Sequence, residues 1–162
     1  MAVTQFLEEF RQMHAKARVG ALTESEVQAY RSAREQFEAT LVAGQGLMLD
    51  RDVRRAFRVA LPLPVELQMH YGYVTTRILD LSVGGFSAVM PHPMGPDERP
   101  SYTLELPQGV VLAGEVRLAS QRQVGEQHRV SFAFIGHTEW ETERLGMLLI
   151  DLALERVHLT NQ

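Results

Sequence analysis

The chain has 162 residues, is 45% hydrophobic and carries a formal net charge of −4, enough apolar mass for one real core plus a small appendage. The acidic balance argues against wholesale electrostatic binding to nucleic acid, so no DNA or RNA partner is expected. Cysteine is absent, which excludes disulfides, thiolate metal sites and cysteine nucleophiles.

Residues 1–46 read as two helices. The first ten residues carry Glu8 and Glu9 instead of a basic run followed by an apolar one, so they are not read as a signal peptide. Thr4 is placed to cap the first helix; Phe6, Phe10, Met13 and Ala17 follow at helical spacing, and Gly20 stops it. The second opens on a capping box. The Thr23 hydroxyl accepts from the Glu26 amide, and the Glu26 carboxylate reaches back. Val27, Tyr30, Phe37 and Leu41 then share a stripe, with Ala33 beside it, until Gly44 and Gly46. Two short amphipathic helices cannot bury such stripes in water alone. They must pack on each other and on something else.

After an arginine-rich segment, residues 47–58, helical spacing gives way to alternation over residues 59–136. Val65, Leu67 and Met69 alternate with polar neighbours, Tyr71 and Gly72 turn the chain, and Val74, Thr76 and Ile78 share a face. A short strand follows Gly84 and Gly85, and residues 91–100 are a proline-rich loop. Residues 102–106, 110–119 and 127–135 complete about six strands, the last with Val130, Phe132 and Phe134 on one face. Short strands separated by turn signals indicate an antiparallel barrel or sandwich. Residues 137–162 close the chain as a helix capped by Thr138 and Glu141. It has one stripe of Leu145, Leu148, Leu149 and Leu152 and a second of Met147, Ile150, Leu154 and Val157. A helix apolar on two sides needs two partners. Its richest stretch, residues 145–154, is too short to span a bilayer and contains Asp151. No membrane insertion is expected, and the expected location is the cytoplasm.

Ahead of the first strand stand Arg51, Arg54, Arg55 and Arg58, four arginines in eight residues of an acidic chain. About twenty residues later, at a strand end, come Asp80, Ser82 and Gly85. A guanidinium fork grips guanine O6 and N7, or a phosphate, with two hydrogen bonds. A carboxylate is acceptor-only and suits the N1–H and N2–H₂ donors of guanine. The pair R-x-x-x-R (Arg54, Arg58) and D-x-S-x-x-G (Asp80, Ser82, Gly85) resembles the signature of PilZ domains, over roughly residues 50–157.

The resemblance implies a mainly β fold with flanking helices (α+β): a six- to seven-stranded antiparallel PilZ-type barrel, an N-terminal two-helix module and a C-terminal capping helix. It also implies a non-enzymatic receptor for the bacterial second messenger cyclic di-GMP, with no other cofactor. Arg54 and Arg58 would contact phosphate and the Hoogsteen edge of guanine, and Asp80 and Ser82 would bond the base. Gly85 would permit the close turn that aims them, and Arg51 and Arg55 would assist. Many PilZ domains carry a further arginine directly before R-x-x-x-R. Here that position is Val53, which points to one ligand per site. Nucleotide pairing with the clustered arginines is expected to order residues 47–58 and transmit binding to a protein partner, or to a second copy through the helices.

Two alternatives stay open at this point: a divergent PilZ-like adaptor that binds protein and no nucleotide, and a small barrel binding single-stranded nucleic acid. The six histidines lack metal-ligand spacing, Trp140 reads as an anchor in the last helix, and no nucleophile elbow, phosphate loop or H-E-x-x-H occurs.

Overall fold

The computed structural model describes residues 3–44 and 57–160. The elements are α1 (Val3–Arg18), α2 (Glu24–Gly44), β1 (Pro64–Met69), β2 (Gly72–Ser82), β3 (Gly85–Met90), β4 (Ser101–Glu105), β5 (Val111–Val124), β6 (Gln127–Ile135) and α3 (Glu139–Thr160). They fall into two compact units. Arg58–Leu149 form one, and α1, α2 and the part of α3 from Ile150 belong to the other.

The larger unit is a closed antiparallel barrel in the order β1-β2-β3-β6-β5-β4, with β4 returning to β1. Period-two alternation builds it. In β1, Val65, Leu67 and Met69 point inward and are buried while Pro64, Glu66 and Gln68 are exposed. Ile78 and Leu81 of β2, Phe86, Ala88 and Met90 of β3, Leu104 of β4, Val116 of β5, and Val130 and Phe132 of β6 complete the lining, all buried. Phe86 gathers Tyr102, Phe132 and Phe134 around it at ring-centroid distances of 5.1–6.0 Å. The lumen is therefore filled by side chains, and closure leaves no unpaired sheet edge. The strand count agrees with the sequence expectation. β5 runs further than residues 110–119, to Val124, because its polar end pairs with β6 through Gln127.

The Thr138–Glu141 box opens α3: the Glu141 amide donates to Thr138 Oγ1 at 3.1 Å, and the Thr138 amide donates to Glu141 Oε1 at 3.2 Å. The Thr138 amide, and its hydroxyl with it, donate to the Glu141 carboxylate and hold it below its ordinary pKa. Leu145 and Leu149 of α3 are buried, and Gln108 Nε2 donates to the Leu148 carbonyl. Trp140 corrects the expectation of an anchor. It is 66% exposed, because the first turn of α3 directs it outward, where the Arg144 guanidinium lies over its ring, 5.5 Å from the centroid.

In the smaller unit, the Thr23–Glu26 box forms as expected, with bonds of 3.3 Å and 3.1 Å. Thr4 does not cap α1: the helix already includes Val3, which leaves Thr4 inside the first turn. Phe10 is fully buried, stacked on Tyr30 at 5.8 Å and tilted against Phe37 at 5.0 Å. One turn further along α1, the buried His14 joins all three helices. Its Nδ1 lies 2.8 Å from Tyr30 Oη and its Nε2 2.6 Å from Asp151 Oδ1. Arg18 Nε stands 3.2 Å from Asp151 Oδ2, an ion pair without hydrogen-bond alignment.

Removing the carboxylate leaves a buried imidazole nitrogen unsatisfied. Asp151→Ala is therefore expected to cost about 2 kcal/mol and to lower the melting temperature by roughly 4–8 °C. Thermal denaturation followed by circular dichroism measures this; an unchanged melting temperature would show that the triad carries no weight. Among the described residues, no helix is long and apolar enough to cross a membrane, and no group of three or more histidines and carboxylates is placed to hold a metal ion.

Candidate functional site

The site lies on the outer wall of the barrel, around the end of β2. Ile78 pairs with Ala88 and Leu81 with Phe86, both pairs facing inward, and the register shifts between Ile78 and Asp80. Two residues, Leu79 and Asp80, therefore sit outside in succession where regular alternation allows one. This is a β-bulge, the kind of irregularity that re-aims side chains. It leaves Leu79 38% exposed and holds the Asp80 side chain against the wall, 16% exposed. Asp80 then pairs in register with Ser87, and Ser87 with Ser131, whose hydroxyls lie 3.3 Å apart.

Arg58 reaches this point through its neighbour. Val59 and Leu81 exchange two backbone hydrogen bonds of 2.9 Å each, which pins the entry to the barrel beside β2. Arg58 Nη1 is then 3.7 Å from Asp80 Oδ2. A second guanidinium approaches from the other direction. Arg129 of β6 lies between inward-facing neighbours on the outer face, and its Nη2 is also 3.7 Å from Asp80 Oδ2. Both contacts are longer than the roughly 2.7–2.9 Å of a tight charge-assisted bond. The two arginines are 43% and 37% exposed, so these pairs add little to stability. One carboxylate thus faces two guanidinium groups across distances longer than a tight charge-assisted bond.

Ser82 and Gly85 shape the turn. The Gly84 amide donates to Ser82 Oγ at 3.2 Å, and Ser82 Oγ donates to the Gly85 carbonyl at 3.4 Å, so the hydroxyl closes the β2–β3 connection. Gly85 answers to a steric demand from β6. A Cβ there would stand 1.8 Å from the Phe132 carbonyl oxygen.

Of the residues singled out in sequence, the structure brings Arg58, Asp80, Ser82 and Gly85 to one rim. Arg51, Arg54, Arg55 and Val53 lie outside the described residues, as does most of the segment 47–58. Arg129 belongs to neither sequence motif. The inward set Val130, Phe132 and Phe134 already implied that it faces out. Its meeting with Asp80, however, depends on β6 lying beside β3, and strand order is not written in the alternation.

The PilZ domain profile matches residues 52–151. The chain belongs to the PilZ domain family. This PilZ domain resembles Escherichia coli YcgR in complex with c-di-GMP, with 22% identity and a TM-score of 0.57 over 67% of this chain and 49% of that one. It resembles the Bacillus subtilis inhibitor of motility MotI/DgrA at 18% identity and a TM-score of 0.55, over 65% of this chain and 54% of the other. The PilZ domain of Escherichia coli YcgR with c-di-GMP aligns at 25% identity and a TM-score of 0.50, over 70% of this chain and 99% of that domain. The chain therefore spans about half the length of YcgR and of MotI. No curated protein matches the sequence.

Proposed function

We propose that this PilZ domain protein is a non-enzymatic receptor for cyclic di-GMP. The observation that carries the reading is the meeting of Arg58 and Asp80, 22 positions apart in sequence, within 3.7 Å on one outer face. A guanine offers acceptors at O6 and N7 and donors at N1 and N2, and a guanidinium beside a carboxylate presents the complement of both. Solved PilZ proteins with c-di-GMP bound support the same ligand. Arg58 and Arg54 serve phosphate and the Hoogsteen edge, Asp80 and Ser82 the base, with Arg51 and Arg55 assisting and Gly85 setting the turn.

Titration calorimetry of the full chain with cyclic di-GMP is expected to give saturable binding with one ligand per chain. The absence of any heat of binding would remove the receptor reading. The proposal extends to transmission: occupancy of the site couples through residues 47–58 to the helical unit, which meets a protein partner or a second copy. Hydrogen exchange across residues 47–58 is expected to slow when the nucleotide is added. Equal protection with and without it would leave a receptor lacking this coupling.

A further inference from the structure

On the barrel's outer wall, the register sets Arg122 of β5 directly opposite Arg129 of β6. Like charges opposite one another on adjacent strands repel. Arg129 is partly compensated by Asp80; among the described residues no carboxylate pairs with Arg122, which is exposed.

The strand beneath these two arginines is held in place. Gln121, one residue before Arg122, donates through Nε2 to the Met94 carbonyl and accepts at Oε1 from the Met94 amide, both at 2.8 Å. Because successive strand residues project to opposite faces, this clamp on Gln121 commits Arg122 to the same outer face as Arg129. In the register, Ser131 and the buried Ser87 stand between that pair and Asp80. Arg58, Arg122 and Arg129 against Asp80 leave a net of two positive charges on this stretch of wall, in a chain whose overall charge is −4.

We infer that Arg129 and Arg122 form a second anion-binding arm of the site, which takes one phosphate of a dianionic nucleotide while Asp80 turns from the arginines to the base. The inference rests on the receptor reading above and extends its footprint from the β2 rim onto β5–β6. The long contacts at Asp80 suit such an exchange: a carboxylate shared at 3.7 Å gives up little when guanine donors replace guanidinium ones, and the released Arg129 finds a phosphate at hand. Arg122 supplies the second fork, and the unfavourable juxtaposition across β5–β6 is relieved when an anion lies between the pair.

The test is calorimetric titration of cyclic di-GMP into the full chain and its Arg122→Gln, Arg129→Gln, Arg129→Lys and Arg58→Ala variants at low and high sodium chloride. Each glutamine variant is expected to bind about 10-fold more weakly, the loss of one charge-assisted contact. Each is also expected to show a shallower dependence of affinity on salt, with an unchanged melting temperature. Arg129→Lys keeps the charge and is expected to keep the salt dependence, a readout that a merely structural arginine would not move. Wild-type affinity and salt dependence in either glutamine variant, alongside weakened binding in Arg58→Ala, overturns the arm and leaves the receptor reading standing. No binding by the unmodified chain overturns both.

Discussion

Asp80→Ala is expected to weaken cyclic di-GMP binding by about 100-fold, since two charge-assisted hydrogen bonds to the base are lost at about 1.5 kcal/mol each and each tenfold is 1.4 kcal/mol. The fold is expected to be indifferent. The carboxylate's ion pairs are 3.7 Å long and lead to arginines more than a third exposed, a setting in which pairs contribute about 0–1 kcal/mol. Removing it also relieves no buried partner of its only bond, because Ser82 and the Gly84 amide satisfy each other without it. The variant should therefore melt within roughly 4 °C of the unmodified chain while losing most of its affinity. Arg58→Ala is expected to follow the same pattern with a smaller loss, about 10-fold, because the remaining arginines still face the anion. Calorimetry and thermal denaturation on the same preparations separate the two effects. An Asp80→Ala protein that binds as tightly as the original would take the base-reading role away from this rim.

Gly85→Ala acts on the other axis. The added Cβ would stand 1.8 Å from the Phe132 carbonyl oxygen, 2.9 Å from its carbon and 3.0 Å from Ala133 Cα. All three are backbone atoms of β6 in a ladder that runs in register from Gly85 to Met90, so no side chain can swing aside. The strands must separate at this end, which breaks ladder bonds and opens the packing of Phe86 on Phe132, now 5.1 Å between centroids. A backbone clash in a packed wall belongs with the more severe overpacking defects, about 3 kcal/mol or more, or roughly 6–12 °C in melting temperature for a chain of this size. Any loss of binding in this variant should track unfolding and recover at low temperature. A Gly85→Ala protein with unaltered melting would mean that β3 and β6 accommodate a methyl group without separating.

The barrel was legible because closure imposes a strict in-out rhythm, and Val65, Leu67 and Met69 or Val130 and Phe132 display it without interruption. The capping boxes were legible for the same local reason: Thr23 with Glu26, and Thr138 with Glu141, need only three residues of context. Asp80 was found through its motif, but its surroundings were not. The bulge at Leu79 and Asp80 breaks the rhythm by one residue, and a single extra residue in an alternation looks like noise until the partner strand is known. Arg129 and Arg122 stayed hidden because their meaning comes from which strands are neighbours. That is decided by barrel closure, with β6 between β3 and β5. The role of His14 is not legible in sequence, because one imidazole on an apolar stripe carries no sign of its partner 137 positions away.

A barrel packed solid with Leu67, Ile78, Leu104 and Phe132 has no room inside for a guest. Under the proposed receptor reading, recognition falls to the hull, to residues whose exchange leaves the ballast untouched. On that reading, surface positions can change one at a time at almost no risk to folding, except where, as at Gly85, the hull is also the keel.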